Sequence, residues 1–261
     1  MSSYNALILA GARSTGDPLA RHSGVSSKAL VEIGRMPMLA RVVAALRLTD
    51  VGRIAVSCSD PEVASLARSL GCEVFAAAAG PSQSAMAGLR RLGTPMLLTT
   101  ADHALLQPEW VQHFVDAQEP GVDVSALLAR RETIEGVVPE TRRTYLRFAD
   151  GQWSGCNLFY FSRPGAIAAL ALWRRLEADR KHPLRLVRRL GPTFLLRYLL
   201  GRLTIQDALD ELARQAGLTA RVVESPYGLA AVDIDTPADL ALGRRLADDL
   251  ASQPLASGKC A

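Results

Sequence analysis

A lysine and three aspartates in this chain stand where a polyphosphate could be handled. Asp102 follows the apolar run Met96-Leu97-Leu98-Thr99-Thr100 after a single residue, Ala101. That places it at the carboxyl end of an expected strand, where parallel α/β sheets hold their ligands. A carboxylate there can hold a hard divalent cation such as Mg²⁺ against phosphate oxygens. Near the other end, Val232-Asp233-Ile234-Asp235-Thr236-Pro237-Ala238-Asp239-Leu240 runs from apolar residues into carboxylates and then into Thr-Pro. Asp235 is the expected second metal ligand opposite Asp102, with Asp233 as an alternate. Asp239 falls on the first helical turn, where it suits the helix dipole and is read as structural. Lys28 could neutralise phosphate charge, and the backbone N–H groups of Leu9-Ala10-Gly11-Ala12-Arg13 could approach phosphates closely. Neither the P-loop spacing nor GxGxxG is present, so the loop is of neither of those kinds. Each residue also has an ordinary alternative: a solvated lysine, a turn aspartate, a helix cap. His103, beside Asp102, is read as a packing residue.

These side chains need a frame. Ala6–Ala10 is a continuous apolar run ending at Gly11, as expected of a central strand covered on both faces. The stretch from Gly11 to Ser27 reads as an irregular polar loop. Helical spacing of Met38, Leu39, Val42, Val43 and Leu46 predicts a helix from Pro37 to about Leu48. Further strands are expected at Arg53–Ser57, Val74–Ala77 and Pro95–Thr100, with helices at Asp60–Leu70, Ser82–Leu92 and Pro108–Gln118. This alternation implies an α/β, three-layer α/β/α domain with a mostly parallel, doubly wound sheet. Later strands are expected at Asp123–Arg130, Arg143–Phe148, Asn157–Phe161, Ala220–Val223 and Ala230–Ile234, and a closing helix at Pro237–Asp249. Between them lies a helical, arginine-rich insertion, about 163–217, in one domain over 1–250; 251–261 reads as a flexible tail.

Composition narrows the function classes. With 261 residues, 49% hydrophobic and 21% charged, the chain can bury a sizeable core and is not of disordered type. A net charge of +4 suits anionic small molecules and, without a recognised motif, does not imply nucleic acid. The four cysteines are scattered with no CxxC pair, as in a reducing compartment. No signal-like segment or long apolar span is read, so a cytoplasmic location is expected.

The motifs Leu9-Ala10-Gly11, Lys28-Ala29-Leu30, Gly34-Arg35-Met36-Pro37-Met38-Leu39, Asp102 and Asp233-Ile234-Asp235-Thr236-Pro237 together resemble the NTP-transferase superfamily. The likeness is to its molybdenum-cofactor guanylyltransferase-like branch. It covers about 6–118 clearly, and 150–162 and 220–248 more loosely. The resemblance implies a GT-A-like nucleotidyltransferase fold and transfer of a nucleoside monophosphate from an NTP, CTP or GTP, to a phosphorylated small acceptor. It implies Mg²⁺ as cofactor, held by Asp102 and Asp235, with Lys28 on the phosphates. Leu9, Ala10, Gly11, Ala12 and Arg13 would cradle the NTP. Ser82 and Ser84, in Gly80-Pro81-Ser82-Gln83-Ser84, are similar to the segment near base and ribose, or else are helix caps. Gly155-Cys156-Asn157 looks like the Gly-Asn element near the acceptor. The chain departs from the pattern at Ala12, which replaces a second glycine, and at Ser14 and Gly16, which stand where a later Gly-x-Arg is usual.

In the insertion, Lys181 and Arg185 are the expected acceptor contacts, since cations can grip phosphate. The same basic, leucine-rich segment could instead be a solvated helical cap or a surface for anionic lipid. A non-catalytic, nucleotide-binding regulatory or scaffold protein of the same fold is the alternative to the enzyme. A glycosyltransferase would normally carry its DxD motif mid-chain, whereas Asp233-Ile234-Asp235 lies near the end.

Overall fold

The computed structural model of the chain describes residues 3–11, 17–141, 143–179 and 191–252. Four apolar runs make the heart of the sheet: β1 (Tyr4–Leu9), β4 (Val51–Cys58), β5 (Glu73–Ala76) and β6 (Met96–Thr100). They lie parallel in the order β6-β1-β4-β5. Strand alternation sends Ala6 and Ile8 to one face of β1 and Leu7 to the other, and both faces are covered. The first face packs against α2 (Met38–Arg47), α3 (Pro61–Ser69) and α5 (Pro108–Asp116). The second packs against α4 (Pro81–Leu92) and α7 (Ile167–Asp179).

Beyond β6 the sheet continues with β9 (Gly151–Phe161), β7 (Val124–Arg130) and β10 (Ala220–Glu224). β9 runs antiparallel to both β6 and β7, and β10 lies parallel to β7. β8 (Leu146–Phe148) pairs with the first residues of β9, while β6 pairs with its last. The result is the expected three-layer α/β/α arrangement around a mostly parallel, doubly wound sheet of eight strands. Within 163–217 the described helices are α7, α8 (Pro192–Leu199) and α9 (Ile205–Gln215), and α10 (Pro237–Ser252) closes the chain.

Three local expectations are corrected. The loop before Lys28 contains α1 (Pro18–His22), whose N-cap Asp17 accepts from the backbone N–H groups of Leu19 and Ala20. Ala230–Ile234 is not a strand. Gly228–Ala231 forms a 3₁₀ turn, and the Ile234 N–H donates to the Asp102 carbonyl at 3.1 Å instead of joining a ladder. Its apolar pattern reflects burial of Val232 and Ile234 beneath neighbouring segments. Gly228 has no room for a side chain, because a Cβ would strike the Thr133 carbonyl of α6 (Arg131–Glu135) and Val137. Finally, β9 begins six residues earlier than expected, and Asn157 sits within it at φ 51°. That left-handed residue accompanies the register break against β7, which hides the strand's alternation.

Candidate active site

Lys28 opens a 3₁₀ turn, Lys28–Leu30, capped by Ser27, whose Oγ accepts from the Ala29 N–H. With Ala29 and Val31 buried, the lysine side chain is left to run along the carboxyl end of the sheet. The turn leads into the hairpin of β2 (Glu32–Ile33) and β3 (Met36–Pro37). Its two central residues, Gly34 and Arg35, both have positive φ, as a two-residue hairpin turn requires.

The Lys28 Nζ donates to Asp102 Oδ2 and to Asp235 Oδ1, each at 2.5 Å. The two carboxylates, distant in sequence, therefore converge on one ammonium. Asp102 arrives just after β6, where Thr100 Oγ1 also donates to it. Asp235 arrives before α10, where a reciprocal cap sets its backbone. Asp239 Oδ2 accepts from the Thr236 N–H at 2.8 Å and the Asp235 N–H at 3.3 Å, while the Asp239 N–H donates to Thr236 Oγ1. The Ile234–Asp102 backbone bond joins the two segments. Exposure is graded: the side chains are 20% exposed for Lys28, 15% for Asp102 and 47% for Asp235. Burial works against the Lys28 ammonium, yet Asp102 and then Asp235 outweigh it and hold its pKa above the ordinary value.

Asp233 faces a different set of partners. It ion-pairs with Arg143 and accepts from Asn157 Nδ2 at 3.1 Å. Burial raises its pKa, but Arg143, Asn157 and more distant Lys28 prevail and hold the carboxyl below the usual range. Asp233, expected as an alternate metal ligand, is thus already neutralised by a guanidinium. Arg143 was not apparent from the sequence, where nothing separates it from its neighbouring arginine. Its partner, a carboxylate two residues from Asp235, is the one sequence signal that a cation must lie near.

Other expected contacts take structural roles. Ser82 is fully buried and donates to Glu177 of α7 at 2.6 Å, and Ser84 Oγ accepts from the Ala78 N–H at 2.9 Å. Neither caps α4, whose N-cap is Gly80. The Ser82 hydroxyl is thus engaged inside the protein by the Glu177 carboxylate. The Ala10 N–H, expected to cradle phosphate, donates to the Ser57 carbonyl, and the Leu9 carbonyl accepts from Ala101. Gly11 is exposed at the end of β1, while Ala12, Arg13, Lys181 and Arg185 lie outside the described residues.

Among the described residues, neither the Cys156 thiol nor the His103 imidazole is poised for covalent work. Burial pushes the Cys156 thiol up to about 12, against the pull of Arg143 and Ser225. His103 is fully buried against Trp110, and burial pushes it down to about 4 despite the nearby carboxylates of Asp102 and Asp233. The folded protein therefore keeps this ring neutral, whereas an unfolded chain protonates it near 6.5. Stability is then complete above the unfolded value and is lost as pH falls toward the folded one, by on the order of 3 kcal/mol. Urea midpoints recorded from neutral to mildly acidic pH should fall more steeply for the wild type than for His103→Gln. Equal slopes would remove His103 from the acid sensitivity.

Comparison with known proteins follows the same lines. The family described as MobA-like NTP transferase domain matches residues 6–222. The chain belongs to that family. A 3-deoxy-manno-octulosonate cytidylyltransferase of Anaeromyxobacter sp. (strain Fw109-5) is 27% identical over 235 residues, spanning 84% of this chain and 89% of its own length. Among solved structures, a hypothetical transferase from Thermus thermophilus has a TM-score of 0.79 at 29% identity and covers 92% of this chain and 100% of its own. A CMP:2-keto-3-deoxy-manno-octonic acid synthetase in complex with CTP, at 16% identity, shares the fold with a TM-score of 0.59, over 95% of this chain and 100% of its own. This MobA-like chain thus has a nucleotidyltransferase frame, with its acidic pair and lysine at the carboxyl end of the central strands.

Proposed function

We propose that this MobA-like protein is a nucleotidyltransferase that transfers a nucleoside monophosphate, CMP before GMP, from the NTP to a phosphorylated small acceptor. The observation that carries the proposal is the Lys28 ammonium seated between Asp102 and Asp235. Two carboxylates converging on one cation are the donor set Mg²⁺ takes when nucleotide oxygens and water complete its shell. Asp102 and Asp235 would hold the ion, and when bound it would neutralise charge on the phosphate oxygens.

The reaction asks little acid–base chemistry of the protein. An acceptor phosphate oxygen, ionised at neutral pH, attacks the α-phosphorus; the new P–O bond forms as the α–β bond breaks, and pyrophosphate leaves with the electron pair. No proton has to move. Lys28, once nucleotide competes for its carboxylates, donates to the phosphate and stabilises the charge that builds there. Asn157, fixed by Asp233, and the Arg143–Asp233 pair border the acceptor side. The preference for CTP is supported by the cytidylyltransferase relative.

Pyrophosphate release should be measured with each of the four NTPs, with and without Mg²⁺, across phosphorylated polyols and sugars. Metal-dependent release that is fastest with CTP is the expected result. Tight NTP binding with no release for any acceptor would instead favour a non-catalytic nucleotide-binding protein.

A further inference from the structure

We propose that Arg143 is a positioning residue for the Asp102–Asp235 pair: through Asp233 it fixes where the Asp235 carboxylate stands, and so how firmly the pair holds a divalent ion. The inference rests on the reading of that pair as a shared metal site. Of the two carboxylates, Asp102 needs little help, since it follows β6, is 15% exposed and accepts from Thr100 Oγ1. Asp235 is 47% exposed and belongs to neither a strand nor a helix. Its place has to be set by the residues around it.

Burial alternates along this segment: Val232 and Ile234 are buried, while Asp233 and Asp235 are not. The two carboxylates therefore leave the chain on the same side. After Asp235, the Asp239 cap holds the backbone. Before it, the Ile234 N–H donates to the Asp102 carbonyl, and Asp233 is tied to two further segments. Arg143, ahead of β8, donates through Nη1 to Asp233 Oδ1, and Asn157 of β9 donates to Oδ2 at 3.1 Å. With both oxygens held, the Asp233 side chain has little freedom to turn, and Asp235 is only two residues on.

The arginine serves this contact alone. Its side chain is 12% exposed, its Nε is buried without a hydrogen-bond partner, and among the described residues its guanidinium hydrogen-bonds only to Asp233. A buried ion pair whose cation is incompletely hydrogen-bonded is a poor source of stability, whereas its fixed geometry can hold a neighbour in place. Charge and position act on the ion with opposite signs. Losing the guanidinium alone would leave Asp233 unpaired and draw a cation more strongly to the site. Losing the position would weaken its binding. Arg143→Lys keeps the charge but replaces a planar fork by a point ammonium, and Arg143→Met/Asp233→Asn removes one charge of each sign. Both leave position as the variable.

The test is calorimetric titration of CTP into the full chain over a Mg²⁺ series. Two quantities are read: the CTP affinity without metal, and the Mg²⁺ concentration that gives half of the metal-dependent gain. Metal-free affinity should stay within about twofold of the wild type in both variants, because Arg143 touches no nucleotide on this account. The Mg²⁺ requirement should rise about tenfold in Arg143→Met/Asp233→Asn and about threefold in Arg143→Lys. If the double variant does not fold, Arg143→Lys decides. An unchanged requirement in Arg143→Lys would overturn the proposal, even beside a raised one in the double variant, since Asp233 would then be touching the ion itself. An equal loss of metal-free affinity would also overturn it, by making Arg143 a nucleotide contact. Wild-type binding indifferent to Mg²⁺ would instead remove the shared metal site, and this inference with it.

Discussion

Lys28→Ala slows pyrophosphate release by about 10²–10³-fold, the loss expected when a preorganised donor to transition-state charge is removed. The same change alters the resting protein. Asp102 and Asp235 lose the ammonium that both contact, and two carboxylates are left facing each other. Asp102 is largely withdrawn from solvent, so repulsion there is only partly screened; Asp235 is half-exposed and softens the effect. A loss of about 2 kcal/mol is expected, or roughly 4–8 °C in melting temperature. Mg²⁺ should then raise the melting temperature of Lys28→Ala more than that of the wild type, because no ammonium competes with it. Thermal melts of both proteins over a Mg²⁺ series check this, and an equal response would mean that the lysine and the ion do not share a place.

Asp102→Asn and Asp235→Asn should each reduce pyrophosphate release by a similar 10²–10³-fold, with the Asp102 change at the upper end. Asp102 is the more buried and is fixed by Thr100, so a replacement has less freedom to adapt. The double variant should be little worse than Asp102→Asn alone. Both carboxylates act on one cation, and groups that work as a unit lose their effect together. Rates measured under single-turnover conditions for the four proteins provide the test. Multiplicative losses would mean that the two aspartates act at separate points.

The contrast between what was legible in the sequence and what was not has a physical basis. Strands β1 and β6 are buried on both faces, so they are written as unbroken apolar runs, and the residue after such a run is easily placed. That made Asp102 readable. Asp235 was readable because Thr-Pro marks a helix start, and the Thr236–Asp239 cap follows from the same letters. Val232 and Ile234 misled because burial under neighbouring segments requires the same residue types as a strand, and only pairing partners distinguish the two. The hydrogen bond from Ser82 to Glu177 joins segments 95 residues apart and has no local signature either. Arg143 and the α7 carboxylate depend on contacts between segments far apart in sequence, for which no local pattern exists.

A metal ion shared by Asp102 and the nucleotide is tested most directly by calorimetric titration of CTP into the chain, with and without Mg²⁺, for the wild type and Asp102→Asn. Mg²⁺ should tighten CTP binding to the wild type by at least about tenfold and leave Asp102→Asn nearly unaffected. Equal affinities with and without the ion in the wild type, or the same metal-dependent gain in the variant, would contradict the shared site.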